Sequence, residues 1–320
     1  MANNAKFYLF AWRHAPKVPE PILRGLFNVV ADVAWLKRGK GVRRLEANYA
    51  RVRPDLDAKA VRRLSRAGMR SYLRYFREAF TLQSATQEQI NARVRLVGRE
   101  NALDVIDGDA AAVLALGHLG NWDLAGAFAT PNIAPVLTVA EKLKPEQLFA
   151  EFLKYRKNIG IEALGLGDPG VFDELVHGAK AGRRIICLLA DRDLTARGVE
   201  VNLCGQRARV AAGPARVALD AGVDLIPTIS TYERLTGERR RAAGTPWGTV
   251  LTLHPPVPVP PLDESLPEEE RRRAQVATYT QGWVDALATA LREHTEDWHM
   301  LQRVFTADLD PKKNPALATS

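Results

Sequence analysis

The chain of 320 residues holds only two cysteines, Cys187 and Cys204, and only three methionines. The cysteines show neither a metal-ligand spacing nor a disulfide framework, which suits a reducing compartment. No run of about 18 consecutive apolar residues occurs, so no transmembrane helix is expected. The N-terminus also lacks the charged, apolar and small-residue order of a secretory leader, and cytoplasmic residence is the default expectation. A G-x-S-x-G elbow is missing, and Cys187 falls inside a predicted buried strand, so covalent catalysis has no good nucleophile. Helix-turn-helix, zinc-finger and RNP patterns are missing too, which speaks against nucleic acid as a partner.

Acidic residues are scarce in one region. Residues 1–100 carry 21 Lys and Arg against 8 Asp and Glu, a net of +13, while the other 220 residues carry −5 of the total +8. A basic region of this kind is drawn to polyanions, and without base-reading elements an anionic membrane surface is the expected one. The segment Lys6 to Val18 is aromatic-rich with basic flanks, and Pro21 to Arg38 reads as a mostly apolar helix closed by Trp35, Lys37 and Arg38 before Gly39. Aromatic bodies with basic ends suit helices lying in a membrane interface, and two helices packed on the body of the protein remain the alternative. Asp57 to Phe80 follows as a long helix with a buried side from Val61 to Phe80 and an outward face of Arg62, Arg63, Arg66, Arg70, Arg74 and Arg77.

The centre of the chain is V-L-A-L-G-H-L-G-N-W-D, Val113 to Asp123. Four continuous apolar residues read as a strand buried on both faces, and Gly117 and Gly120 allow a tight turn that holds His118. Asn121 is expected to cap the next helix, which puts Asp123 in its first turn, where unpaired N–H groups favour a carboxylate. With the histidine in the loop, the chain can fold that carboxylate onto the imidazole and make a base. From the spacing alone a structural histidine with a capping partner is the better reading, but the pair lies beyond the carboxyl end of a strand, where ligands bind in open α/β sheets.

Strands and helices alternate from there: strands at Val136–Ala140, Ile161–Leu164 and Ile185–Leu189, helices at Pro145–Ile159 and Val171–Ala181. This predicts an α/β single domain with a central mixed, largely parallel sheet flanked by helices, preceded by N-terminal interfacial helices. Glu141, Arg156 and Asp191-Arg192-Asp193 fall at element ends, so with His118 they can supply a base, acids and a cation for hydroxyl chemistry. Val199–Leu203 is a strand, and Arg207 and Arg209 are assigned to a polar loop before a helix at Gly213-Pro214. Asp224–Ser230 and Thr249–His254 are further strands. Ser265 and Glu268 form the capping-box pattern ahead of a last long helix.

Six blocks in this order resemble one family: H-L-G-N-W-D (118–123), V-A-E-K-L-K-P (139–145), Y-R-K-N-I-G (155–160), A-D-R-D-L (190–194), A-G-P-A (212–215) and D-W-H-M-L (297–301). They are similar to the late acyltransferases of lipid A biosynthesis, and more closely to the actinobacterial branch that acylates phosphatidylinositol mannosides. The resemblance covers essentially the whole chain, and Asp191 stands where some members of that branch carry glutamate.

The resemblance implies transfer of a fatty acyl chain from acyl-CoA to a mannose hydroxyl of phosphatidylinositol mannoside. The protein would be peripheral on the cytoplasmic face of the plasma membrane, with acyl-CoA as co-substrate, no other cofactor and no metal. It implies His118 as base with Asp123 as its orienting carboxylate, and Asp191 as a further catalytic residue. Glu141, Arg156, Asn121, Arg192, Arg207 and Arg209 are the expected substrate-binding residues. N–H groups at the turn are the expected oxyanion donors, with Arg156 as an electrostatic aid. The implied division is 1–40 membrane-associating helices, 41–305 acyltransferase domain and 306–320 polar tail. A lipid A type enzyme using acyl carrier protein and a non-catalytic lipid-binding protein stay open at this point.

Overall fold

A computed structural model describes residues 10–193 and 198–309, apart from the side chain of residue 269. Residues 1–9, which begin the aromatic N-terminal segment, and 310–320 of the expected tail lie outside the described residues. Seven strands form one sheet, β1 (Val94–Val97), β2 (Ala111–Leu116), β3 (Val136–Ala140), β4 (Ile161–Gly165), β5 (Arg184–Leu189), β8 (Asp224–Arg234) and β9 (Trp247–Leu253), in the order β1-β9-β8-β2-β5-β3-β4. All neighbours are parallel except β8 and β9. β2 lies between β8 and β5, and all six of its residues are buried, as its unbroken apolar run requires. The expected mixed, mostly parallel sheet is the one observed.

β6 (Val199–Leu203) and β7 (Gln206–Val210) form a separate antiparallel hairpin. This corrects the reading of Arg207 and Arg209 as loop residues. They are strand residues, opposite Asn202 and Glu200, and the single Gly205 between two short segments was the turn signal.

Helices cover both faces. In chain order they are α1 (Glu20–Lys37), α2 (Lys40–Val52), α3 (Ala58–Thr81), α4 (Gln87–Arg93), α5 (Leu103–Ile106), α6 (Trp122–Asn132), α7 (Glu146–Asn158), α8 (Val171–Lys180), α9 (Gly213–Ala221), α10 (Gly237–Ala243) and α11 (Glu268–Glu293). The Ser265 capping box does not form: Ser265 bonds Asp263 instead, and the residue before α11 is Pro267.

The arginine face of α3 is also corrected, because much of it points at neighbouring helices. Arg77 is buried between Glu20 and Glu78, Arg62 reaches Glu46 and lies over the Trp35 ring, and Arg66 and Arg70 both bond Asp32 of α1. The two guanidinium groups hold the Asp32 carboxyl far below the usual carboxylate range.

Helix α2 decides where the C-terminal segment lies. Gly68 of α3 has no side chain to oppose Tyr49, and an added Cβ would meet the Tyr49 hydroxyl at 2.3 Å. That close approach lets the Tyr49 hydroxyl donate to the Trp298 carbonyl at 3.0 Å, while Asn48 Nδ2 donates to the carbonyls of Met300 and Gln302 at 2.8 Å each. The segment is stitched to the turn after β2 by Gly120 N to Asp297 O (3.0 Å) and His299 N to His118 O (2.8 Å). Asp308, placed at sequence level in a loose tail, pairs with Arg44 and Arg51 of α2.

Candidate active site

Beyond the carboxyl end of β2 the chain makes its tight turn. Gly117 passes so close to Leu119, Leu287 and Asp191 that an added Cβ would lie 2.7, 2.9 and 3.4 Å from them, and Gly120 takes φ +58° against the Ser230 carbonyl. Glycine is required at Gly120, and at Gly117 a Cβ would have to push aside the tips of two buried leucines. The turn presents His118, whose Nδ1 lies 2.5 Å from Asp191 Oδ1 and whose backbone N–H donates to Asp191 Oδ2 at 3.0 Å. The Trp298 indole N–H is the third donor to this carboxylate, reaching Oδ2 at 2.7 Å.

Asp191 is wholly buried at the end of β5. Burial alone would raise its carboxyl, but the imidazole and the donors from His118 and Trp298 hold it below the usual carboxylate range. A carboxylate at Nδ1 assigns the ring proton to that nitrogen and leaves the Nε2 lone pair as the base.

The carboxylate on the imidazole is therefore Asp191, and the expected partner Asp123 is corrected. The first turn of α6 carries Asp123 inward, where the Tyr75 hydroxyl donates to it at 2.8 Å and Arg156 pairs with it at 3.1 Å. Asn121 caps α6 by accepting from Leu124 N at 2.9 Å, and its Nδ2 donates to Glu78 at 2.7 Å. The cap forms as the sequence suggests, but Asn121 is entirely buried and does not line the cavity in front of His118. Arg156 is likewise buried, over the Phe152 ring and against Asp123, so it does not face that cavity either. A helix N-terminus draws charge into its own first turn, and that local preference outweighs reach toward the loop.

Glu141 and Arg192 are where the sequence places them. Both line the cavity and pair with each other at 3.1 Å, and Arg192 also bonds Gln302. Arg207 and Arg209 are not brought there. Arg207 pairs with Glu200 across the hairpin, and Arg209 lies beside Asp193 and donates to the Gly198 carbonyl at 2.9 Å. Among the described residues no group of three or more His, Cys, Asp or Glu could hold a metal ion.

The cavity measures about 340 Å³. Its walls are mainly aromatic and aliphatic, from Tyr72, Tyr75, Phe76, Trp122 and Phe152, with His118 and Glu141 among the polar groups. Trp122 also lines a smaller cavity under α6, of about 40 Å³, whose walls are Leu114, Leu116, Ile161 and Cys187 together with the paired Asp123 and Arg156. Sequence reasoning overlooked Tyr75, Trp298 and His299. His299 is buried, its Nε2 faces Ser71 at 3.0 Å, and its Nδ1 has no hydrogen-bond partner among the described residues. Burial, with Arg74 and His118 nearby, keeps its imidazole well below the ordinary histidine value and so neutral. The D-W-H-M-L block was the available signal, but its link to the turn is a pair of contacts far apart in the chain, Gly120 to Asp297 and His118 to His299.

A model of the bacterial lipid A biosynthesis acyltransferase family matches residues 4–307. The chain is 34% identical over 314 residues to the phosphatidylinositol mannoside acyltransferase of Mycolicibacterium smegmatis, covering 98% of this chain and 94% of that protein. It is also 34% identical over 314 residues to the protein of the same name from Mycobacterium tuberculosis H37Rv, covering 97% and 91%. Among solved structures, the 1-acyl-sn-glycerophosphate acyltransferase PlsC of Thermotoga maritima is a remote likeness, with TM-score 0.35 and 17% identity over 82% of this chain and 97% of that one. The chain belongs to the bacterial lipid A biosynthesis acyltransferase family.

Proposed function

We propose that the protein transfers a fatty acyl chain from acyl-CoA to a mannose hydroxyl of phosphatidylinositol mannoside by general-base catalysis. The single observation that carries the reading is His118, tied through Nδ1 to buried Asp191 and lining an apolar-walled cavity. The relatives' names supply the acceptor class.

In the reaction, His118 Nε2 takes the proton from the mannose hydroxyl as its oxygen attacks the thioester carbonyl carbon. The tetrahedral intermediate collapses with cleavage of the C–S bond, and the imidazolium returns the proton to the departing thiolate. Asp191 keeps the tautomer and offsets the imidazolium charge. The backbone N–H groups of His118, Leu119 and Gly120 are committed to Asp191, the Gly117 carbonyl and the Asp297 carbonyl. They are not free for the oxyanion, and Arg192 is the cation on the cavity wall that can offset it. A long acyl chain gains roughly 0.8 kcal/mol per buried methylene, so it belongs against the aromatic wall, with the space beyond Trp122 for its end.

Docking on the cytoplasmic membrane face would use α1, where Ile22, Leu26, Val29, Val33 and Leu36 stay 42–66% exposed in one row. No described helix is long and apolar enough to cross a membrane. The test is thiol release from acyl-CoA. It should be slow alone and rise sharply with phosphatidylinositol mannoside, because water is a poorly positioned substitute for the hydroxyl. Equal release with and without the mannolipid would indicate a thioesterase. Lipid binding without any His118-dependent turnover would indicate a binding protein.

A further inference from the structure

On the opposite side of α3 from His118 lies a second cavity, of about 370 Å³, at the ends of β8 and β9. One stripe of α3 lines it with Arg63, Arg66, Arg70 and Arg74, spaced by three and four residues and spanning about 16 Å of helix. Arg74 is held between two rings, its guanidinium carbon 3.5 Å from the Trp247 centroid and 4.4 Å from that of Tyr232. It has no hydrogen bond or ion pair to a described residue, Glu78 and Asp297 acting on it only at longer range, and Arg63 has none either. Stacking fixes the plane of a guanidinium and leaves its N–H edge to bind a planar or tetrahedral oxyanion.

The acids of the groove are Glu296 and Asp297, and Asp297 is occupied by Ser71 and the Tyr232 N–H. Asp32 already binds Arg66 and Arg70, so Arg63 and Arg74 are the uncommitted pair.

Asp32 gives the groove its orientation. It sits on α1 beside Val29 and Val33, which belong to the exposed aliphatic row. When that row rests on hydrocarbon, the arginines that reach Asp32 lie at the depth of lipid headgroups.

We infer that this groove binds the phosphate of an anionic bilayer phospholipid, as a site separate from the His118 cavity, with Arg63 and the ring-held Arg74 as the ligands. The inference rests on the membrane-docked reading above. It makes attachment selective for phosphate-bearing anionic lipid and not merely basic.

The test compares full-length wild type, R63Q/R74Q and R240Q/R241Q on phosphatidylcholine vesicles with and without phosphatidylinositol. R240Q/R241Q removes the same charge from α10, away from the groove. Wild type should prefer phosphatidylinositol, and R63Q/R74Q should lose about fivefold of that preference per arginine. It should keep binding to phosphatidylcholine through α1. W247L should lose part of the preference without any change in charge, and R63Q alone covers the case in which the double variant misfolds.

An equal loss in R240Q/R241Q would reduce the effect to bulk charge and overturn the site. Competition by free CoA as strong as by phosphatidylinositol vesicles would reassign the groove to the donor's phosphates. Mannolipid-dependent thiol release in detergent should survive in R63Q/R74Q. Its absence in wild type would overturn the acyltransferase reading, whereas unchanged lipid preference in R63Q/R74Q would overturn the groove alone.

Discussion

Asp191 takes the Trp298 indole N–H on Oδ2 at 2.7 Å while its Oδ1 faces His118 Nδ1. An anion this deeply buried is stable only because donors fill its lone pairs, and Trp298 is one of three. The tryptophan itself is placed by Tyr49 of α2, a helix far away in sequence. The base at the cavity is thus set by the packing of the N-terminal helices.

His118→Ala should lower turnover by the roughly 100-fold to 10,000-fold typical of a positioned general base. Asp191→Asn should come close to it, since an amide no longer enforces the tautomer or offsets the imidazolium. Steady-state rates with circular dichroism as the folding check decide this. Loss confined to Asp123→Asn, with Asp191→Asn active, would return the orienting role to Asp123.

Trp298→Phe keeps the ring and removes the donor to Asp191. It should lower kcat about tenfold with little change in the KM for acyl-CoA, because a hydrogen bond to a charged group contributes about 1.5–3 kcal/mol. A change in KM alone would mean that the indole shapes the cavity and does not hold the carboxylate.

Asp191 also makes a statement about acid. Its folded carboxyl lies below the unfolded value of about 3.9. Its stabilisation is therefore present above that unfolded value and lost as pH falls through the lower folded one. The Tm advantage of wild type over Asp191→Asn should be full at neutral pH and shrink below about pH 4. Calorimetry in which the gap widens on acidification would contradict the pairing.

Burial pushes the Cys187 thiol up to about 12, so it stays protonated at neutral pH. Alkylating reagents should spare it and Cys187→Ala should keep most turnover, which an acyl-cysteine intermediate would not allow. Because Cys187 lines the small cavity beyond Trp122, Cys187→Phe should shift donor preference to shorter chains. An unchanged chain-length profile would show that the acyl end lies elsewhere.

Leu26→Asp with Val33→Asp on α1 should weaken vesicle binding at least about tenfold, since each buried aliphatic side chain contributes about 1.5–3 kcal/mol. Both positions are exposed, 56% and 42%, so the fold should be unaffected. Sedimentation with undiminished binding would leave the row without a role at the membrane.

By itself the sequence determined the elements whose cause is local. The unbroken apolar run of β2, the glycines of the turn, the Asn121 cap and the alternation after Val136 were all legible, because period, turn chemistry and capping act over a few residues. Glu141, Asp191 and Arg192 could be placed near His118 because parallel strands bring their carboxyl ends to one edge. Only the tertiary structure decided which carboxylate meets the imidazole. Asp123 is five residues from His118, but its helix faces it into the core toward Tyr75 and Arg156, while Asp191 arrives from the neighbouring strand β5. The inward turn of the α3 arginines and the threading of Trp298 and His299 under the site were hidden for the same reason. They depend on which helix packs beside which, and partners from 16 to 249 residues apart leave no periodic trace in a single chain.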